Sequence, residues 1–521
     1  MEKNVNRLLT YPSIGLVLFI LVISGLYPEA SQVATNNAMH WLTSHFGWFV
    51  ELAGIACLGF LLWLAFSKYG HIQLGKEKPT FSNRTFAFMI FSAGVGSSLI
   101  FWSIGEPMYY MQAPPLFLDK GSFAADAFLL TYSIFHWGPT GWAIYCLPSI
   151  PFAYMFYIRK ERCLSLSQLC SDVIGKKQAN GLLGYVINLV GIFGTLAAFA
   201  SSLAVTVGLL SQGIANLWGI NNGLVLQAII IMLFIVALAF VMVIGFNKGI
   251  SIISNWTVIG AFLFAFFVLL VSKTDFIMQS FVDSLGVLLD HYFRMSFWND
   301  PVQQSGFPQA WTQYYWAWYF AYLIMMGLFI TRISRGRTIK QVILYTISMG
   351  SLGCATIISV FGGYAVWGQL LGGIPILDWM HQGGVNYAVI ETIKSLPYQP
   401  VTMIVFLIIE FLLMLTTMSS ASIAVSMMTS NKLELNGDPD HKVKLLWATG
   451  IGLISFAVFL TGGGIGTIKS LCVIAGFPMV IVYFILIKAF MGWVQADYGD
   501  KVRHLQEEES LPEVRLALDV E

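Results

Sequence analysis

Trp311-Thr312-Gln313-Tyr314-Tyr315-Trp316-Ala317-Trp318-Tyr319-Phe320-Ala321-Tyr322 runs without a charge into Leu323-Ile324-Met325-Met326-Gly327-Leu328-Phe329-Ile330. The run is apolar and long enough to cross a hydrocarbon core of about 30 Å, so it is read as a membrane span near 313-331. Its rings exceed what a Trp/Tyr girdle at the membrane surface requires. Trp311 to Trp316 fit such a girdle, whereas Trp318 and Tyr322 lie deeper and, four residues apart, share one helix face.

Outward from this run, further spans are expected near 11-27, 46-68, 85-111, 123-157, 181-211, 223-246, 252-272, 341-364, 399-427, 444-461 and 466-493, twelve with the first. All are helices, because lipid leaves an open sheet edge unsatisfied and the runs are too long for barrel strands. The composition agrees: 57% hydrophobic and 11% charged, against about 45–50% and 25% in soluble domains. The fold class is therefore all-α integral membrane, with 1-10 an N-terminal segment, 11-493 the membrane domain and 494-521 a charged tail. A net charge of +1 argues against a nucleic-acid partner. The six cysteines show no metal-ligand spacing, and neither HExxH nor a nucleophile-base set is present, so no metal, cofactor or enzymatic activity is expected. The first apolar run lacks a small-residue cleavage pattern and is read as a retained span.

With both termini cytoplasmic, all but five of the 28 lysines and arginines fall inside, the exceptions being Lys120, Lys273, Arg294, Lys394 and Lys469. One span more or fewer would spoil this bias, which places the chain in the inner (cell) membrane with both ends inside. Thr274 to Phe297 and Ile374 to Leu396 have helical spacing but too many polar residues to span, and are read as amphipathic helices on the outer face.

Two more motifs lie at membrane depth. The third expected span contains Ser92-Ala93-Gly94-Val95-Gly96-Ser97-Ser98, then Gly105-Glu106-Pro107 and Tyr109-Tyr110. Small residues there either let helices pack closely or open a helix whose free N–H groups face an anion, as in many transporters. The fourth carries Phe135-His136-Trp137-Gly138-Pro139, an aromatic beside a helix break. A quaternary ammonium has no N–H to donate and is held by aromatic faces, each worth roughly 0.5 to 2 kcal/mol. Glu410, a carboxyl midway through the tenth span, is costly enough to be a coupling candidate, with a structural, protonated role equally open.

YWAW, the run Ile333-Ser334-Arg335-Gly336-Arg337-Thr338, FHWGP and GEP together resemble the betaine/carnitine/choline transporter family, along essentially the whole chain. The resemblance implies two leading helices and a LeuT-type pair of inverted five-helix repeats, about 85-272 and 313-493, with the outer helix 274-297 between them, assembled as a homotrimer in lipid. It implies a small zwitterionic substrate and a cage at Tyr109, Trp137, Trp318 and Tyr322, with a sulfur ligand at Met326, as in carnitine/γ-butyrobetaine antiporters. Trp311 and Tyr319 then mark a secondary site on the way in, and the backbone at Gly94, Val95, Gly96 and Ser97 faces a carboxylate. Where sodium-coupled relatives carry GMGIG, this chain has Gly94-Val95-Gly96-Ser97-Ser98, and where they offer a Thr-Ser hydroxyl pair it has Met418-Ser419. A thioether is a poor ligand for a hard cation. Thr257 stands where the antiporters place an arginine, which leaves Glu106 without an expected cationic partner. Glu106, Thr257, Ser419 and Glu410 are thus the coupling candidates of a secondary transporter, working by sodium-independent exchange or, alternatively, by sodium- or proton-coupled symport. A membrane sensor using the same cage is the remaining alternative.

Overall fold

The computed structural model describes residues 5–93, 96, 98–161, 165–430, 439–462 and 464–509, at 242–252 and 500–509 as helical backbone alone. Helix α1 (Arg7–Leu26) starts where the Asn6 side chain accepts from the Leu9 N–H at 3.3 Å. α2 (Pro28–Phe66) opens on a proline, which has no N–H to leave unpaired in a first turn. It begins well before the expected 46-68, because Glu29, Asn36, His40 and His45 hide its first half from hydropathy.

α3 (Asn83–Ala93) and α4 (Leu99–Gln112) flank a break in the third expected span. α5 (Phe123–His136), α6 (Pro139–Cys146) and α7 (Ser149–Ala153) follow one another along the fourth. Three single turns, α8 (Leu166–Leu169), α9 (Ser171–Ile174) and α10 (Lys176–Ala179), lead into α11 (Leu182–Trp218). α12 (Leu224–Val271) covers two expected spans, 223-246 and 252-272. In a straight helix Phe234 and Phe264 would stand about 45 Å apart at 1.5 Å per residue. Instead they pack on Phe411 and Phe406 of one later helix, so the chain doubles back between them.

α13 (Thr274–Ser296) buries Ile277, Ser284 and Leu288 and exposes Met278, Val282, Leu289 and Phe293. α14 (Phe307–Ala310), α15 (Thr312–Ala321) and α16 (Leu323–Ile333) form the aromatic span, bent by 59° between α15 and α16. α17 (Ile339–Leu370) opens with a capping box between Thr338 and Gln341. α18 (Ile376–Lys394), kinked at Gly384, was expected to lie on the surface. It packs against α4 and α11 and buries Val385, Ala388, Val389 and Ile390, since its apolar residues suffice for a bundle contact. α19 (Val401–Met428), α20 (His441–Leu460) and α21 (Gly464–Glu509) complete the chain.

Among the described residues ten helices are long and apolar enough to cross a membrane, and eleven when the bent α14–α16 unit is taken as one. α3 and α4 stand in the place of the remaining expected span. The core forms where α15 lies along α2 and α21, α4 along α5 and α17, and α11 along α19, α20 and α21. α21 and α15 approach closely, and a Cβ on Gly476 would overlap the Ala317 carbonyl. Gly476→Ala is therefore expected to lose about 1–3 kcal/mol through forced separation of the two helices. A thermal unfolding midpoint equal to the parent's would refute that contact.

Candidate functional site

Three helix breaks meet at one cavity. At FHWGP, Pro139 lacks the N–H that would continue α5 into α6, and Gly138 takes an extended backbone (φ −96°, ψ −152°). Trp137 sits at this break (φ −95°, ψ 9°). Tyr322 sits at the bend between α15 and α16, where its N–H bonds the Tyr319 carbonyl at 3.1 Å and so leaves the α-helical pattern. Ser98 at the start of α4 is left-handed (φ 71°). Gly94, Val95 and Ser97 lie outside the described residues, whereas Gly96 lines the cavity.

The cavity is small, about 100 Å³. Trp137, Trp318, Tyr319, Tyr322 and Met326 line it, together with Trp142, Tyr145, Ser202 and Cys354, which sequence reasoning missed. Trp318 meets Trp137 edge to face at 5.6 Å and Tyr322 at 5.9 Å. Tyr145 closes the far side, 4.6 Å from Tyr319 and 5.7 Å from Tyr322. It lies in α6, beyond the break at Gly138, where helical spacing counted from Trp137 does not reach it. Tyr109 is absent from this wall. It packs on Trp311 at 5.3 Å in a separate ring layer, so the expected cage of four rings contains three of them here.

The polar ends of two rings are tied back. The Trp137 indole N–H donates to the Glu106 carboxylate at 2.9 Å, and the Tyr322 hydroxyl pairs with Ser202 at 2.7 Å. The Tyr319 hydroxyl and the Trp318 indole nitrogen are buried and have no hydrogen-bond partner among the described residues. A wall of ring faces attracts a cation without N–H groups, and unmet donors in the same wall suit an anionic group.

Glu106 is better supplied than its sequence context suggests. Besides Trp137 it accepts from the Tyr110 hydroxyl at 2.7 Å and from the Tyr315 hydroxyl. His136 Nδ1 stands 3.7 Å away, with its ring stacked on Tyr315. Neutral donors and a histidine thus surround this carboxyl, in place of the fixed cation that Thr257 leaves out. Of the other coupling candidates, the Thr257 hydroxyl donates to Ile253 at 2.7 Å and that of Ser419 to Leu415 at 2.9 Å, each within its own helix. Glu410 is fully buried, and among the described residues neither carboxyl oxygen has a hydrogen-bond partner.

A second cavity of about 290 Å³ shares Ala93, Gly96, Met325, Met326 and Thr417 with the first and runs past Phe88 and Phe329. On the opposite side a vestibule of about 880 Å³ is lined by Thr43, Asn299, Gln309, Gln313 and Lys469. Rings separate that vestibule from the cavity: Trp311 meets Trp102 at 6.0 Å, and Tyr314 stacks on Trp318 at 5.9 Å.

The chain is 32% identical over 459 residues to an uncharacterized transporter, YeaV, of Escherichia coli (strain K12), covering 88% of this chain and 95% of the relative. Among solved structures, a substrate-bound, outward-open Na+-coupled sialic acid symporter aligns with a TM-score of 0.46 and 13% identity, over 89% of this chain and 92% of the other. Residues 8–499 match the model of the betaine/carnitine/choline family of transporters, and the chain belongs to that family.

Proposed function

We propose that this transporter carries a small zwitterion with a quaternary-ammonium head of the betaine or carnitine type, in exchange for a related molecule and without sodium. One observation carries the reading. The cavity wall is made of ring faces whose polar ends at Trp137 and Tyr322 are already bonded, to Glu106 and Ser202, while Tyr319 and Trp318 carry donors with no partner among the described residues. The faces serve the ammonium head and the donors serve the carboxylate. Met326 in the wall, and a buried Met418 beside Ser419, offer sulfur where a sodium ion needs oxygen.

In this reading both termini are cytoplasmic, the α3/α4 and α15/α16 breaks open the two halves of an inverted repeat, and the cavity running past Phe88 and Phe329 leads inward. Purified protein in liposomes is expected to take up radiolabelled carnitine or glycine betaine only when unlabelled substrate is inside. Replacing external sodium by potassium is expected to leave that rate unchanged. Uptake into empty vesicles on a sodium gradient would overturn exchange and spare the cage. Proton-linked transport is the second reading, favoured by the fully buried Glu410, whose carboxyl oxygens have no hydrogen-bond partner among the described residues. Under it Glu410→Gln flattens the pH dependence of uptake; under exchange the pH profile is unchanged.

A further inference from the structure

Lys469 lines the vestibule near the start of α21, yet only 8% of it is exposed. Charge counting assigns it to the outer side. In the structure its ammonium lies inside a box of rings, with Nζ 3.3 Å from the centroid of Trp311 and 5.0 Å from that of Tyr314. Trp102 and Tyr109 stand at 5.6 and 6.0 Å. One N–H donates to the Ala310 carbonyl at 2.9 Å. The rest of the charge faces π clouds, which attract a cation most strongly where water is excluded. The box adjoins the central cavity, because Tyr314 stacks on Trp318 with the ring planes 9° apart. The chain's own ammonium therefore fills a site of the same chemistry as the cavity wall, one ring layer nearer the vestibule.

We propose that Lys469 is a tethered stand-in for the substrate's ammonium. It occupies the vestibule-side ring box when no substrate is there. A substrate cation arriving from the vestibule takes those ring faces only as Lys469 swings out into the water-accessible space it lines. Through Ala310 the lysine also ties α21 to the residues just before α15, so the same displacement loosens the ring layer. Lys469 thus sets how strongly a cation must bind rings before it can pass, and it becomes a counter-charge for the carboxylate once displaced. This inference rests on the ammonium reading of the substrate.

The test uses the purified full chain and a water-soluble acetylating ester, with modification of each lysine followed by mass spectrometry. Lys120 and Lys273, both exposed, serve as internal references. Lys469 is expected to react at least several-fold more slowly than these two, and several-fold faster when tetramethylammonium chloride replaces sodium chloride. Trp311→Leu is expected to speed its reaction without any ligand. If the lysine holds the box for nine-tenths of the time, Lys469→Met should bind tetramethylammonium roughly ten-fold more tightly, and Lys469→Arg should stay near the parent. Equilibrium dialysis of radiolabelled carnitine and glycine betaine is run in parallel. Ligands that bind without changing Lys469 reactivity, or slow reaction in Trp311→Leu, would overturn the stand-in and spare the substrate reading. Absence of binding by carnitine, glycine betaine and tetramethylammonium alike would overturn the substrate reading, whatever Trp311→Leu does to Lys469.

Discussion

Trp318→Leu is expected to weaken binding of carnitine or glycine betaine by roughly 30-fold or more, the equivalent of about 2 kcal/mol for one ring face in a dry site. Trp318 is the ring on which the cavity wall converges. It meets Trp137 at 5.6 Å, Tyr322 at 5.9 Å and Tyr314 at 5.9 Å. Its indole nitrogen has no hydrogen-bond partner among the described residues, and leucine leaves an apolar side chain in place. The loss should therefore appear in binding far more than in folding, and Trp318→Phe should fall between the two. Equilibrium binding on purified protein, with the thermal midpoint as control, measures both. Undiminished affinity in Trp318→Leu would show that the head group is held elsewhere.

Glu106→Ala is expected to be the most damaging single change to the folded state. It strips the acceptor from three buried donors, Trp137 Nε1, the Tyr110 hydroxyl and the Tyr315 hydroxyl. Each unpaired donor costs about 1–3 kcal/mol, so the sum is a large part of the 5–15 kcal/mol that keeps an ordinary domain folded. Glu106→Gln separates position from stability. The amide keeps one oxygen but turns an NH₂ toward groups that are themselves donors, so Trp137 loses its fixed angle while the fold largely survives. Glutamine is expected to weaken substrate binding about ten-fold, the size of one lost hydrogen bond to a charged group. A glutamine variant that binds like the parent would mean that Trp137 needs no anchor.

How far these features could be read in advance differs from residue to residue. The break at FHWGP and the depth of Trp318 and Tyr322 were legible, because a proline without N–H and a four-residue spacing constrain the local backbone directly. Membership of the cavity wall was less so. Trp142, Ser202 and Cys354 reach it through the packing of α6, α11 and α17, which no local pattern encodes. Tyr109 points the other way: its position in the chain matches a cage residue, but here its ring goes to Trp311. Charge counting assigns Lys469 to a side of the membrane and cannot register the four rings brought around it. The span count came close for the opposite reason, since crossing hydrocarbon is a property of each segment taken alone. It faltered at α3 and α4, where a break divides the segment, and at the polar first half of α2.

Trp137 and Tyr322 each occupy a residue where the helix stops and restarts. Their ring positions and the angles between helical halves are therefore one variable. A ligand that pulls on either ring exerts a torque on the bundle, with no relay needed between recognition and motion. It follows that these two positions are poor places to retune selectivity, since any new side chain there also resets the resting geometry. Trp318, inside a regular turn of α15, is free of that burden. A lineage changing its cargo would be expected to vary there first and to pay in affinity alone.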